Sequence, residues 1–128
     1  LDGREAVLAS HAEMGRVARS AFPRVRQLLP LVGNHDTWPY FSDDVQMRDS
    51  LLRLWGTGLS RQAASDFALR GYYEEQIHAT QPPLSLVAMD TNALALAHMA
   101  TAGEKQLVWL NATVGRLAAA GTSVLLAG

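Results

Sequence analysis

The sequence predicts an α/β fold in which a layered β-sheet is flanked by helices. Short aliphatic runs of strand length alternate along the chain with segments whose apolar residues recur at helical spacing. Glycine, proline and paired polar residues separate these segments, as they do at turns. The chain has 128 residues, of which 48% are hydrophobic and 18% charged, so it has the size and composition of one modest globular domain.

The first half of the chain is predicted to contain a helix, a short strand and a second helix. Apolar residues recur at helical spacing over about residues 4–22, and Pro23 ends that helix. The apolar run at residues 28–32 has the composition of a short buried strand. The second helix is expected to begin with Ser42 as its N-cap and acidic residues in its first turn, and to end at Gly56.

The second half is predicted to contain three strands and one helix. Residues 67–77 are rich in aromatic and aliphatic side chains and favour a strand, and residues 84–89 favour a second strand. A helix follows at residues 103–120, and residues 122–127 are typical of a buried final strand. The apolar stripe of this helix is expected to consist of Leu107, Leu110, Val114 and Leu117.

Charge and cysteine content exclude several classes of function. The net charge is −1, so the chain has no basic surface of the kind that binds nucleic acid and no polybasic membrane patch. No apolar run is long enough to form a transmembrane segment. Cysteine is absent, which excludes disulfides and thiolate metal sites within these residues and favours a reducing compartment.

The most informative motif is Gly33-Asn34-His35-Asp36, directly after the strand predicted at residues 28–32. Open α/β sheets bind their ligands at the carboxyl ends of strands, so this position suits a functional site. Gly33 allows a tight turn, and Asp36 either orients the imidazole or stabilises the turn. A simple polar turn is the alternative, because Gly, Asn and Asp are favoured turn residues.

Asn34 and His35 have the chemistry that phosphodiester hydrolysis requires. The reaction places negative charge on the attacking and the leaving oxygen, and two divalent metals about 4 Å apart can bind both. The side-chain carbonyl of Asn34 is a neutral oxygen ligand. His35 can stabilise the phosphate and protonate the leaving oxygen, since the pKa of an unperturbed imidazole is about 6.5.

The motif resembles the Gly-Asn-His-Asp/Glu block of the calcineurin-like metallophosphoesterases, which are two-metal hydrolases of phosphate esters. Further blocks resemble one branch, the acid sphingomyelinase-like phosphodiesterases, and their order and spacing agree over about residues 28–128. Asp90 stands where that branch usually has Asn. The matching blocks are Gly71-Tyr72-Tyr73, Asp90-Thr91-Asn92 and Gln106-Leu107-Val108-Trp109-Leu110.

This resemblance implies a metal-dependent phosphodiesterase similar to sphingomyelin phosphodiesterase. It implies a β-sandwich flanked by helices, two divalent ions of which zinc is the expected identity, and a phosphodiester substrate such as a phospholipid headgroup. His35 would be the catalytic acid and Asn34 a metal ligand. Secreted, lysosomal or vacuolar location is implied as well.

Other ligand motifs of the family are absent from this sequence. The family pattern has Asp-x-His and Gly-Asp-x-x-Asp before the Asn-His motif, and Gly-His and Gly-His-x-His after it, but this chain contains none of them. The remaining metal ligands are therefore expected outside it. We expect residues 1–128 to be the central portion of one catalytic domain, truncated at both ends, and the isolated fragment to be inactive.

Several further residues are candidates for the surroundings of the site. The resemblance places Asp36, Asp90, Asn92 and His98 near the substrate, although loop-forming polar residues are the alternative at Asp90 and Asn92. His11 is expected to be a packing histidine of the first helix. Asn111-Ala112-Thr113 is a sequon, so Asn111 is a candidate for glycosylation.

Two other functions remain open from the sequence. An endopolyphosphatase-like hydrolase would use the same metal chemistry on a different phosphate substrate. A non-enzymatic α/β interaction domain would carry the Asn-His turn without its chemistry.

Overall fold

The computed structural model describes residues 3–42 and 44–128 and has a mixed α/β fold with a three-stranded sheet. The helices are α1 (Gly3–Ala21), α2 (Val45–Trp55), α3 (Arg61–Arg70), α4 (Thr91–Ala95) and α5 (Ala100–Ala119), with a 3₁₀ turn at Ala97–Met99. The strands are β1 (Tyr73–Ile77), β2 (Leu84–Ala88) and β3 (Ser123–Ala127). The predicted α/β class is confirmed at this level.

The sheet is mixed and has the order β1-β2-β3. Strands β1 and β2 are antiparallel, with Tyr73 opposite Ala88 and Ile77 opposite Leu84. Strands β2 and β3 are parallel, with Leu84 opposite Ser123, so the chain must return to the starting end of β2 before β3 begins. Helices α4 and α5 form this return connection. In the described part of the chain no helix is both long and apolar enough to cross a membrane.

The hydrophobic core lies between the sheet and helices α2 and α3. Phe67 of α3 and Tyr73 of β1 are both fully buried, and their rings meet edge to face with centroids 5.8 Å apart. The Tyr73 hydroxyl donates a hydrogen bond of 2.9 Å to the carbonyl of Pro30. Burial raises the pKa of this hydroxyl far above its usual range, so it remains a proton donor. The remaining core residues are Val32, Leu51, Ala63, Leu86 and Ala88.

The prediction of a strand at residues 28–32 is wrong. Among the described residues this segment forms one isolated bridge, between Leu28 and Thr57, and otherwise has no ladder. Pro30 has no backbone N–H to contribute to a sheet. The segment is instead fixed by side chains, since the Gln27 amide donates to the Gln76 carbonyl and accepts from the His78 N–H, both at 3.0 Å.

The strand predicted at residues 67–77 is wrong over its first part, where helix α3 is found instead. The helix begins after Ser60, whose hydroxyl accepts a hydrogen bond of 3.2 Å from the Ala63 N–H. It ends at Gly71, which has the left-handed φ of +79° that glycine adopts without strain. Ala63 and Phe67 lie one turn apart and are fully buried, so tertiary packing overrides the strand preference of the aromatic side chain.

The N-cap of α2 is Asp44 rather than Ser42. The Asp44 carboxylate accepts hydrogen bonds from the N–H groups of Gln46, at 2.8 Å, and Met47, at 3.2 Å. Asp43, which was expected in the first turn, lies outside the described residues. The predicted end of this helix at Gly56 is confirmed.

Helix α5 is present, but its buried face differs from the predicted stripe. Leu107 and Val114 are exposed. The rotation of the helix is set by Gln106, whose side-chain amide accepts from the Asp90 N–H at 2.7 Å and donates to the Asp90 carbonyl at 2.9 Å. The residues of α5 that are buried are Gly103, Gln106, Thr113 and Leu117.

The prediction that the final strand is buried is also wrong. Strand β3 is the edge of the described sheet, with β2 on one side, and its residues Leu125 and Leu126 are 52% and 57% exposed. An exposed apolar edge of this kind can pair with other chains.

Replacing Tyr73 with Phe should destabilise the fold by about 1–2 kcal/mol, because the buried Pro30 carbonyl loses its hydrogen-bond donor. Urea unfolding followed by circular dichroism measures this change. Tyr72→Phe is the matched control, since the Tyr72 hydroxyl forms no hydrogen bond with the part of the chain that the structure describes. Equal losses in the two variants would show that the bond to Pro30 contributes nothing.

Candidate functional site

The Gly33–Asp36 motif forms a tight turn that is closed by two hydrogen bonds between its first and last residues. The Gly33 N–H donates to the Asp36 carboxylate at 2.7 Å, and the Asp36 N–H donates to the Gly33 carbonyl at 3.2 Å. A further hydrogen bond, from the Phe41 N–H to the backbone carbonyl of Asn34 at 3.1 Å, closes a wider loop. These bonds fix the backbone on both sides of His35 and leave the side chains of Asn34 and His35 available.

His35 is exposed and packs against an aromatic cluster. Its ring lies 4.4 Å from the ring of Tyr40, and Tyr40 meets Trp38 edge to face at 5.1 Å. The imidazole forms no hydrogen bond with any other residue that the structure describes. His35 is therefore accessible to solvent, and its ring contacts the tilted ring of Tyr40.

Asn34 is half-buried beside His35, and its side-chain amide also has no hydrogen-bond partner among the described residues. Its carbonyl oxygen fits the role of one ligand to a hard or borderline cation. Within residues 3–42 and 44–128 no group of three or more His, Asp or Glu side chains lies close enough to hold a metal. The role of Asn34 as a metal ligand stays a prediction.

Asp36 stabilises the turn, and the imidazole that it contacts belongs to His11 rather than His35. The second carboxylate oxygen of Asp36 lies 3.4 Å from Nε2 of His11. The hydrogen bond from His11 lowers the pKa of Asp36; the Gly33 N–H and the nearby His35 act in the same direction, and partial burial opposes them. The carboxylate is therefore the favoured form in the folded protein.

His11 lies in α1 and contacts both this turn and helix α2. Its Nδ1 accepts a hydrogen bond of 3.2 Å from the indole N–H of Trp55, at the end of α2. The His11 side chain is 13% exposed, which agrees with the packing role expected for it in α1. The contact with the loop could not be read from the sequence, because His11, Asp36 and Trp55 are far apart along the chain.

Two cavities meet at His11 and Asp36. One is apolar, has a volume of about 290 Å³ and extends under the loop between α1 and α2. The other, of about 350 Å³, is open and contains the candidate catalytic side chain. Besides His11 and Asp36, the polar and aromatic residues that line the open cavity are Ser10, His35, Trp38 and Tyr40.

The other candidates for substrate contact are not brought to this cavity. Asp90 is buried and caps α4, where its carboxylate accepts from the Asn92 N–H at 3.0 Å. It lines a separate cavity of about 110 Å³ together with Arg70 and Lys105. Asn92 is also buried, and His98 is exposed on the 3₁₀ turn. Proximity of these residues to substrate stays a prediction.

The sequon on α5 has one exposed and one buried position. Asn111 is exposed, whereas Thr113 is buried with 5% of its surface accessible. Glycosylation of Asn111 stays a prediction.

The chain is similar to two curated phosphodiesterases. It is 30% identical over 128 residues to sphingomyelinase phosphodiesterase C of Dictyostelium discoideum, covering 95% of this chain and 28% of that protein. It is 28% identical over 108 residues to cyclic GMP-AMP phosphodiesterase SMPDL3A of Homo sapiens, covering 79% of this chain and 23% of that protein.

These similarities support a distant relationship to acid sphingomyelinase-like phosphodiesterases. No protein-family model matches the chain. The chain spans about a quarter of the length of the curated relatives that it matches.

The lowered pKa of Asp36 predicts a specific loss of stability in acid. The native carboxylate contributes stability fully above its unfolded pKa of about 3.9, and this contribution disappears as the pH falls through the lower folded value. Asp36→Asn should therefore be less stable than the parent protein at pH 7, and the difference should shrink towards pH 3.

Urea midpoints at the two pH values measure this effect. Asp49→Asn is the control, because Asp49 pairs with Arg53 on the exposed face of α2 and such pairs contribute little. A stability difference for Asp36→Asn that is independent of pH would contradict the role assigned to the carboxylate.

Proposed function

We propose that this chain supplies the Asn-His corner of the active site of a metal-dependent, sphingomyelin phosphodiesterase-like hydrolase. One observation carries the proposal: the closed turn at Gly33–Asp36 holds an amide oxygen and an exposed imidazole side by side, neither hydrogen-bonded to any described residue. The similarity to two proteins that are named phosphodiesterases supports the same reaction class. In this proposal Asn34 is a metal ligand and His35 is the catalytic residue.

His35 would act as the general acid. Hydroxide attacks phosphorus, the new phosphorus–oxygen bond forms, and the bond from phosphorus to the leaving oxygen breaks. A protonated His35 gives its ring proton to that oxygen, so the leaving group departs as a neutral alcohol. The ring is then neutral and recovers its proton from solvent, to which it is exposed.

Asn34 would hold one of two divalent ions, for which we propose zinc. Such ions, when bound, polarise the phosphoryl oxygens and provide a nucleophile at neutral pH. The amide oxygen of Asn34 adds no negative charge that would repel the phosphate. The backbone carbonyl of Asn34 accepts from the Phe41 N–H, and the neighbouring Gly33 N–H donates to the Asp36 carboxylate, so the backbone of the turn needs little ordering on binding.

Two substitutions in the full-length protein test the separate roles. His35→Ala should lower kcat by about 10²–10⁴-fold with zinc content unchanged, because it removes the acid but no ligand. Asn34→Ala should lower zinc occupancy, measured by elemental mass spectrometry. Turnover is followed with sphingomyelin vesicles and with cyclic GMP-AMP, because their alkoxide leaving groups need a proton, and the comparison of the two defines the substrate.

His78→Ala is the matched control, since His78 is an exposed histidine at the end of β1. It should keep normal turnover and zinc content. Full activity in both His35→Ala and Asn34→Ala would refute the proposed site.

We further propose that the protein enters the secretory route, with a secreted, lysosomal or vacuolar destination. The exposed sequon residue Asn111 is consistent with this location. The full-length protein expressed in a eukaryotic host should lose apparent mass when treated with an N-glycosidase, and Asn111→Gln should remove that part of the shift which this site contributes. An unchanged shift in Asn111→Gln would show that the sequon is unused.

A further inference from the structure

We propose that His11 is a positioning residue for the loop that bears Asn34 and His35. In this arrangement the imidazole of His11 fixes the Asp36 carboxylate, and the carboxylate in turn fixes the Gly33 amide. The inference rests on the proposed function for its effect on turnover, whereas its effect on the loop is independent of any activity.

The partners of His11 assign its tautomer. The Trp55 indole can only donate, so Nδ1 of His11, at 3.2 Å from the indole nitrogen, must accept and carries no proton. The ring proton of a neutral imidazole therefore lies on Nε2, which faces the Asp36 carboxylate at 3.4 Å. The hydrogen bond from Trp55 thus orients the Nε2–H group of His11 towards the Asp36 carboxylate.

The two oxygens of the Asp36 carboxylate have different partners. One faces His11, and the other accepts the Gly33 N–H at 2.7 Å. Gly33 and Asp36 flank Asn34 and His35 on either side, so the carboxylate holds the two ends of the turn together with the bond from the Asp36 N–H to the Gly33 carbonyl. Hydrogen bonds to an ionised group are shorter and stronger than those between neutral groups. A change at His11 is therefore transmitted to the turn through a single side chain.

The contact of His11 with the loop is separable from the packing of α1 on α2. These helices are also joined by Arg19, whose guanidinium donates to the Leu54 carbonyl at 2.7 Å. Arg19 lies two turns further along α1 and has no bond to the loop among the described residues. Loss of Arg19 should loosen the helix pair and leave Asp36 in place, whereas loss of His11 should release Asp36.

The geometry also distinguishes His11 from a residue that contacts substrate. Its two ring nitrogens face Trp55 and Asp36, and only 13% of its side chain is exposed. It lies in the wall between the two cavities, beneath the loop that carries His35. Its removal should consequently displace the catalytic groups while leaving most substrate contacts intact.

The test compares His11→Ala, His11→Gln and Arg19→Ala in the full-length, zinc-loaded protein. His11→Ala should lower kcat about 10–100-fold with little change in KM, because small displacements of catalytic groups reduce turnover by such factors. His11→Gln should restore most of the lost kcat, since its amide can accept from Trp55 and donate to Asp36. Arg19→Ala should retain normal kcat.

Hydrogen exchange provides a readout that needs no activity. Amide exchange of the peptide containing residues 33–42, measured by mass spectrometry, should accelerate in His11→Ala and stay at the parent rate in His11→Gln and Arg19→Ala. Unchanged exchange in His11→Ala would overturn the positioning role. Equal acceleration in His11→Ala and Arg19→Ala would also overturn it, because both would then act through helix packing.

The two proposals fail in different ways. If the parent protein hydrolyses no phosphodiester but the loop exchanges faster only in His11→Ala, the proposed function is wrong and the positioning of the loop stands. If the parent protein is active and His11→Ala keeps its kcat and its exchange rates, the positioning role is wrong and the proposed function stands.

Discussion

The buried hydrogen bond from Tyr73 to Pro30 is the contact on which the placement of the site depends. The segment that leads into the Gly33–Asp36 turn pairs with no described strand and forms a single bridge, to Thr57, so side chains must hold it. Tyr73 is fully buried in the core, and its hydroxyl reaches the Pro30 carbonyl at 2.9 Å. Because the ring packs against Phe67 and the hydroxyl stays protonated, the core of the sheet determines where the loop begins.

Glutamine side chains replace backbone pairing at two points of this fold. The Gln27 amide bonds to both a carbonyl and an N–H at the end of β1, and the Gln106 amide does the same with Asp90 after β2. A primary amide has one acceptor oxygen and two N–H donors. It can therefore bond to a backbone carbonyl and a backbone N–H at a point where no neighbouring strand does so. Irregular segments are thereby joined to the sheet without an additional strand.

Local patterns in the sequence predict the helices α1 and α2 and strand β2 well, and tertiary contacts explain most of the errors. Helix α1 has the spacing of an amphipathic helix and a terminating proline, both of which act locally. The segment before Gly33 has the composition of a strand, but strand formation requires partners that composition does not reveal. The sequence did not predict helix α3, because the strand preference of Phe67 outweighed the helix-capping tendencies of Ser60 and Gly71 at the two ends of the helix.

The candidate site was predictable to a similar extent. Asn34 and His35 adjoin each other in the sequence, and a turn was the natural expectation for Gly33 and Asp36. The link from Asp36 to His11 joins residues 25 positions apart and depends on how α1 packs, so no local pattern contains it. Asp90 and Asn92 follow strand β2 rather than ending it: Asp90 caps α4, and Asn92 lies buried in the first turn of that helix.

The four blocks that resemble the phosphodiesterase family have different physical roles. Gly71 ends α3 with a left-handed backbone, and a side chain there would press against Asp90. Tyr73 of the same block holds the segment before the turn, Asp90 caps α4 and Gln106 orients α5, so three of the blocks serve the architecture. Only the block at Gly33–Asp36 exposes reactive groups to solvent. A related chain without catalytic activity could therefore preserve most of this resemblance, because selection for folding alone would retain it.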